Sequence, residues 1–441
     1  MTYRISAVAL GVAATLVASP ATAQMQGMDH SQHTPAPSAQ PVPTTAPDPH
    51  AGHDMSKMAG MDMSSDADVP VAGSGTSRLP GAEGMMHGLH LTPGDWMVML
   101  HGYAWGTYSD QGGPRGDAQA FVTSMAMVEA SRDLSGTTRL QLRGMFSFDP
   151  LIGKRGYPNL FATGETANGV PLVDRQHPHD LFMELSARID TDFGGGISGF
   201  LYGGPVAEPA LGPSAFMHRR SAKFNPEAPI THHWFDSTHI TFGVVTAGLT
   251  GKHWQVEASA FRGREPDEAR WDIETPKLDS WSVRATWTPS PNWAVSLSHG
   301  FIKEPETTHP GESERRTIGT IAYADTRLSV TAAYAIKQRD GHGDGALLVE
   351  ANWDITPRHA LFGRVESVQN EELFTAPNPL AGPSYRVSKA TLGYAYTIPL
   401  GAFGLSLGGS ASLYAKPAAL DVAYGRNPKS FTLFAKLALG G

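Results

Sequence analysis

The strongest pattern in the chain is a two-residue alternation of apolar and polar side chains between residues 281 and 355. In its first segment, Trp281 and Val283 alternate with Ser282 and Arg284. Successive side chains of a β-strand point to opposite faces, so each such segment has one apolar face and one polar face. The pattern predicts a sheet with hydrocarbon on one side and water on the other.

The same alternation recurs from residue 96 to the end of the sequence and predicts 16 strands. Many of them span about ten residues, the length that a tilted transmembrane strand needs. The predicted spans are 96–108, 118–132, 138–148, 181–193, 196–205, 238–248, 253–262, 280–288, 293–303, 315–324, 327–337, 345–355, 358–369, 385–398, 403–415 and 429–438.

The connections between these strands alternate in length. Those after even-numbered strands are short, such as 194–195 and 356–357, whereas those after odd-numbered strands include 149–180 and 206–237. This asymmetry is typical of outer-membrane barrels, in which an even strand number returns both ends to the periplasm. We therefore predict an all-β fold in which residues 96–441 form an antiparallel transmembrane β-barrel of about 16 strands. A soluble sandwich or propeller is the alternative, but its outer faces would be polar and its loops not one-sided.

The polar strand faces would line a lumen, and the aromatic residues would form girdles at the two membrane interfaces. Only 17% of the residues are charged, and those on the polar strand faces are expected in the lumen. The predicted lumenal charges are Arg139, Arg143, Glu184, Arg188, Asp190, Glu257, Arg284, Glu350, Asp354, Arg364 and Glu366. The predicted girdle residues are Trp254, Trp287, Trp293, Trp353, Tyr394 and Tyr396.

Residues 1–23 have the features of a secretory signal peptide: Arg4, an apolar stretch at 7–18, and an A-x-A site at Ala21 to Ala23. A net charge of -8 with scattered basic residues argues against nucleic-acid binding. The absence of cysteine excludes disulfides and thiolate metal sites.

Residues 24–95 contain few branched or aromatic side chains before the barrel, so we predict a disordered periplasmic segment. Eight of the 16 methionines fall in residues 24–90, interspersed with histidine. Thioether sulfur suits Cu(I) and imidazole suits Cu(II), which predicts a copper-binding segment; a low-complexity linker with incidental methionines is the alternative. The predicted ligands are Met25, Met28, His30, His33, His50, His53, Met55, Met58, Met61, Met63, Met85, Met86, His87 and His90.

Two long outer loops carry a second set of candidate ligands. They are His177, His179, His232, His233 and His239, together with the carboxylate of Asp236. Neighbouring hairpins place both loops at one rim, where two or three imidazoles and a carboxylate would suit a borderline-soft metal ion. Ring nitrogens from both loops should then approach within roughly 4 Å. The alternative is that these histidines make hydrogen bonds that pack a plug against the lumen wall.

The sequence lacks the G-x-S-x-G, H-E-x-x-H, P-loop and Rossmann motifs, so we do not predict an enzyme. A membrane-embedded hydrolase that combines Ser237 with His179, Asp180 or His239 is the open alternative.

Two resemblances bear on function. The leader, with Met28, Asp29, His30 and the run 61–63, resembles the leaders of CopB/PcoB-type copper resistance proteins. The segments PLVDRQHPHDLFMEL (171–185), NPEAPITHHWFDSTHITFGVVTAG (225–248) and RGREPDEARWDIETPKLDSWSVR (262–284) resemble a family of predicted proteobacterial outer-membrane proteins of unsettled function, often thought to accompany metal-handling genes.

These features predict a protein of the bacterial outer membrane whose N-terminal segment lies in the periplasm and contributes to copper tolerance. The segment would bind copper, and the barrel would export the ion or keep the segment at the membrane. Implied partners are outer-membrane lipid, copper ions and periplasmic copper-handling proteins. The alternative function is a general porin, or small-solute channel, in which the segment is incidental.

Overall fold

The computed structural model describes residues 70–84, 88–339 and 341–440. It contains a long strand at each of the 16 predicted positions. The strands are β1 Met97–Gln111, β2 Ala118–Asp133, β3 Thr138–Phe146, β4 Phe182–Asp192, β5 Ser198–Ala207, β6 Thr241–Gly251, β7 Trp254–Phe261, β8 Ser280–Ser290, β9 Trp293–Ile302, β10 Glu314–Ala324, β11 Leu328–Arg339, β12 His342–Thr356, β13 His359–Asn370, β14 Tyr385–Leu400, β15 Phe403–Ala415 and β16 Lys429–Leu439.

The long strands form one closed antiparallel barrel. Each strand pairs with the next in sequence, and β16 pairs with β1 in a register that runs from Ser430 opposite Gln111 to Ala438 opposite Tyr103. A short strand, Leu89–Leu91, pairs with the beginning of β1. Closure leaves no open sheet edge, which a sheet in hydrocarbon requires. The prediction of an all-β, 16-stranded antiparallel barrel is confirmed.

Burial in the barrel wall is inverted relative to a soluble protein. In β8, Ser282 and Arg284 face inward and are buried, whereas Trp281 and Val283 face outward with 45% of their surface exposed. Leu392 on β14 is 68% exposed. A wall that buries its polar side chains and exposes its large apolar ones is stable when lipid surrounds it.

The two ends of the barrel differ. At the short-turn end, links such as 252–253 and 291–292 join neighbouring strands; at the long-loop end, 147–181 and 208–240 are the longest connections. Within the described residues, no helix combines the length and apolar character needed to cross a membrane.

The two longest loops fold into the lumen, and we call residues 147–181 inner loop A and residues 208–240 inner loop B. Apolar side chains of both loops are buried in one cluster with the inner face of the wall. Leu160 and Phe161 come from inner loop A, Leu211 and Phe235 come from inner loop B, and Phe261 belongs to β7. The two inner loops and the barrel wall therefore share one buried apolar core.

A third segment, which we call the lumenal hairpin (residues 70–84), occupies the lumen at the short-turn end. Val71–Ala72 pairs with Arg78–Leu79, and the hydroxyls of Ser74 and Ser214 lie 3.1 Å apart. The amide of Ala82 donates to the carbonyl of Pro291 in a short turn at 2.9 Å. The structure therefore departs from the predicted disordered segment 24–95, because residues 70–84 gain hydrogen-bond partners inside the barrel that composition does not reveal.

Candidate metal centre

The loop histidines of the two inner loops meet inside the barrel. His177 and His179 precede β4 in inner loop A, and the helical turns His232–Phe235 and Ser237–His239 of inner loop B present the others. His232, His233 and His239 are each no more than 5% exposed, and the side chain of His177 is 10% exposed. The inward folding of both loops therefore assembles a buried cluster from residues more than fifty positions apart.

Ring contacts link all five histidines. The centroid of His177 lies 5.8 Å from those of His232 and His233, and His239 lies 5.4 Å from His179 and 5.3 Å from His232. One nitrogen from each of His177, His232 and His233 lies within 4.8 Å of the others. The structure brings these three rings together, and metal binding by them stays a prediction.

Four of the imidazoles present Nδ1 to an oxygen. His179 Nδ1 lies 2.8 Å from Asp149 Oδ2, and His232 Nδ1 lies 2.7 Å from Asp236 Oδ1. His177 Nδ1 and His239 Nδ1 lie 3.2 and 2.6 Å from the carbonyl oxygens of Pro178 and Asp236. The carbonyls can only accept, so Nδ1 of both these rings carries the proton and Nε2 keeps a lone pair.

Carboxylates surround the cluster. Glu265 Oε2 lies 3.3 Å from His233 Nδ1, out of line for a hydrogen bond, and Glu165 Oε1 lies 3.7 Å from His177 Nε2. Arg270 pairs with Glu165 at 3.0 Å and with Asp180 at 3.1 Å. The site is therefore rich in imidazole and carboxylate, and the guanidinium of Arg270 is already engaged by two of the acids.

Burial sets the protonation of the cluster. Burial, with the charge of Arg270, lowers the pKa of His177 well below its usual value. Burial, with the neighbouring His232 and His179, does the same to the pKa of His239. For His233, burial alone would lower the pKa, but the Glu265 carboxylate raises it to about 9. His177 and His239 are thus neutral at pH 7, whereas His233 is charged.

A second group of possible ligands lies near the rim: Glu306, His309 and Glu372. Lys337 and Arg339 each approach Glu306 to 3.0 Å, so its charge is already neutralised. His309 is half-buried and contacts Glu372 at 3.2 Å. This group is less suited to a cation than the five-histidine cluster.

Most predicted ligands of the N-terminal segment lie outside the described residues. These are Met25, Met28, His30, His33, His50, His53, Met55, Met58, Met61, Met63, Met85, Met86 and His87. His90 is described and is exposed on the short strand Leu89–Leu91. His90 is therefore separate from the histidines of the two inner loops.

The hydrolase alternative gains no support from Ser237. Its hydroxyl accepts a hydrogen bond from Arg316 Nη1 at 2.9 Å, and within the described part of the chain no hydrogen bond joins it to a histidine of the cluster. Asp236 instead contacts His232 and Arg219.

Sequence reasoning missed the acidic partners of the cluster. Asp149, Glu165 and Glu265 come from three separate stretches of loop and have no spacing relation to the histidines. Asp236 alone was identified, because it lies in the same stretch of loop as His232, His233 and His239. The run REPDEAR, which contains Glu265 and Arg270, was the available signal, since it is a charged cluster in a loop next to the histidine loops.

Comparisons with known proteins bear on the fold. Neither protein-family models nor curated proteins match the chain in sequence. In structure it is similar to OmpF of Salmonella typhi, solved in complex with daunomycin, with a TM-score of 0.52, 9% identity, and coverage of 80% of this chain and 100% of that one. OprB of Pseudomonas putida (TM-score 0.47, 11% identity, 78% and 94% covered) and an anion-selective porin of Comamonas acidovorans (0.47, 12%, 78% and 100%) are also similar. The chain has the fold of a bacterial outer-membrane β-barrel of the porin type.

Proposed function

We propose that the protein is an outer-membrane channel for small hydrophilic solutes and that the described state is its closed state. The observation that carries this proposal is the inverted barrel, which is apolar outside and lined by charges of both signs inside. Ion pairs such as Arg284 with Glu257 at 2.8 Å and Arg364 with Glu350 at 3.0 Å line the wall. A closed barrel with such a polar lumen is suited to form a water-filled channel across a lipid bilayer.

The loop asymmetry supports an orientation. Short turns face the periplasm in bacterial outer-membrane barrels, and long loops face outward. In that orientation the lumenal hairpin enters from the periplasm, and the five-histidine cluster belongs to loops that fold inward from the outer surface.

A vestibule at the short-turn end favours access for solutes. Its volume is about 570 Å³, and Arg220, Lys223, Asp354 and Lys436 are among its lining residues. Three of these four side chains are basic, and the lining also includes the carboxyl of Glu83. The vestibule is large enough for a small organic solute and ends at inner loop B.

Inner loop B accounts for the closed state. Arg219 binds Glu350 on β12 at 2.6 Å, and Glu227 binds Lys389 on β14 at 2.6 Å. A cavity of about 20 Å³ lies between the lumenal hairpin, inner loop B and the wall, and one of about 40 Å³ lies between the two inner loops and the wall. Each has room for only a few waters. Passage of anything larger requires inner loop B to move.

The test is conductance of the purified, folded full-length chain in a planar bilayer. We expect discrete steps separated by long closed intervals, with heat-denatured protein from the same preparation as the control. Folded protein that never conducts, at any voltage tested, would refute the channel.

Copper capture by residues 24–90 remains a separate proposal, which the comparisons do not support. The clustered Met and His residues motivate it. A peptide covering residues 24–95 should bind Cu(I) more tightly than a peptide of matched length without Met and His. Equal affinities would reject the proposal.

A further inference from the structure

We propose that His177, His232 and His233 form a binding site for one borderline-soft divalent ion, of the class that includes Zn²⁺ and Cu²⁺, which ties inner loop A to inner loop B. This proposal is independent of the channel, because ion binding is measured without any transport.

The spacing of the three rings is close to that of a bound site. Their nitrogens already lie within 4.8 Å of one another. Tetrahedral bonds of about 2.0–2.1 Å place ligand nitrogens about 3.3 Å apart. Rotation of side chains held on loops can supply the remaining contraction without a change in the barrel wall.

Two of the three rings have buried nitrogens that make no hydrogen bond. Both ring nitrogens of His233 and Nε2 of His177 are buried without a hydrogen bond. Buried polar atoms in native proteins are nearly always paired, and leaving one unpaired costs about 1–3 kcal/mol. A cation at the centre of the three rings would satisfy Nε2 of His177 and one ring nitrogen of His233.

The surroundings of the rings match those of metal-bound histidines. Such histidines usually donate their other N–H to a carboxylate or a backbone carbonyl, which fixes the tautomer. His232 Nδ1 lies 2.7 Å from Asp236 Oδ1, and His177 Nδ1 lies 3.2 Å from the carbonyl of Pro178. Two of the three ligands therefore already have this support.

Acidic groups supply charge for a dication and a source of a fourth ligand. Glu265 Oε2 lies 3.3 Å from His233 Nδ1, and its other oxygen, Oε1, is buried without a hydrogen bond. Arg316 Nη2 lies 4.0 Å from that Oε1 and offsets part of its charge. A carboxylate beside three imidazoles is a donor set that closes a tetrahedral site.

The ligand set selects the class of ion. It contains imidazole and carboxylate, and the chain has no cysteine. Imidazole suits Zn²⁺, Cu²⁺ and Ni²⁺, whereas Ca²⁺ and Mg²⁺ prefer all-oxygen sites and Cu(I) prefers sulfur. The proposed ion therefore differs from the Cu(I) favoured by the methionines of the N-terminal segment.

The experiment measures Zn²⁺ stoichiometry of the full-length chain, folded in detergent and stripped with a chelator. The N-terminal segment contributes equally to every variant, so the difference between variants isolates the loop site. We expect His177→Gln to bind one Zn²⁺ fewer per chain than the unaltered protein. His253→Gln is the matched control, because it removes a histidine of the short turn 252–253, whose Nδ1 lies 3.0 Å from the carbonyl of Thr288, and it should bind the full number.

Equal stoichiometry for His177→Gln and the unaltered protein would overturn the proposal and leave the cluster as a set of hydrogen-bonded loop histidines. A second measurement uses the unaltered chain alone. Zn²⁺ should slow hydrogen exchange in residues 174–181 and 230–240 and leave residues 303–313 unchanged. Exchange that does not slow in the first two stretches would also overturn the proposal, whatever the folding of the variants.

Discussion

Arg284 shows how a single side chain joins three parts of the molecule. Its guanidinium donates to Glu257 on β7 at 2.8 Å, to the carbonyl of Gly212 in inner loop B at 3.0 Å, and to Thr76 of the lumenal hairpin at 3.1 Å. Both ionic partners are buried. The wall, inner loop B and the lumenal hairpin therefore share one buried charge pair.

Arg284→Met should lower the free energy of unfolding by about 3–5 kcal/mol, because it leaves the buried Glu257 carboxylate without its cation. Urea unfolding in detergent micelles measures this loss. Lys154→Met is the control: its pair with Glu268 is half-exposed on the Lys154 side, so the change should be below about 1 kcal/mol. Equal losses in the two variants would contradict this role of Arg284.

Gly164 keeps space for the five-histidine cluster. Its φ is +108°, and a Cβ there would lie 2.6 Å from the His233 ring. Gly169, in the same loop, has φ +75° and no atom within 4 Å of such a Cβ. Both substitutions strain the backbone, but only one displaces a histidine.

Gly164→Ala should therefore weaken Zn²⁺ binding at the proposed site by at least about tenfold, whereas Gly169→Ala should leave the affinity within about twofold. Competition with a zinc-binding dye measures both. A loss of equal size in the two variants would assign the effect to backbone strain and not to His233.

At the scale of elements, the lumenal hairpin is held by two carboxyls, the partly buried Glu83 and the buried Glu208. Glu83 accepts a hydrogen bond from Ser329 at 2.8 Å. Burial raises the pKa of Glu83 to about 7, and the nearby Glu350 carboxylate acts in the same direction. The hydrogen bond from Ser329 and the charges of Arg220 and Arg219 act in the opposite direction. Burial also raises the pKa of Glu208, which is packed against Gly75, to about 8.

Docking of the hairpin should weaken as the pH rises. A pKa of about 7 when docked, against an ordinary value of 4.5, means that the docked state binds the proton more tightly. The contribution is complete below pH 4.5 and is lost as the pH rises through 7. The measurement is the rate of trypsin cleavage after Arg78 in the unaltered protein, divided by the rate in Glu83→Gln at the same pH. This ratio should be higher at pH 8 than at pH 5.5. A constant ratio would show that Glu83 does not control docking.

The strands were the predictable elements. The predicted span 403–415 matches β15, and 429–438 ends one residue before β16. The predicted 238–248 begins three residues too early, because residues 237–239 form a helical turn of inner loop B before β6 starts at Thr241. Alternation detects a residue that faces lipid or lumen, but it cannot detect a loop that folds inward.

At the scale of the whole molecule, the interior was the unpredictable part. Inner loop A, inner loop B and the lumenal hairpin owe their positions to contacts between residues far apart in sequence, such as Asn370 with Thr163 at 3.0 Å. Histidines stood out because they are rare and chemically distinctive, whereas common residues such as Glu165 and Glu265 did not. The proposed channel conducts only when inner loop B leaves the wall.

A reversible crosslink tests that claim most directly. Ser221 of inner loop B and Thr331 of β11 place their hydroxyl oxygens 2.8 Å apart, and the chain has no cysteine of its own. We expect single-channel conductance of the double variant Ser221→Cys/Thr331→Cys to vanish under oxidising conditions and return on addition of a reductant, with neither single variant responding. Conductance that is the same in the oxidised and reduced double variant would contradict the account.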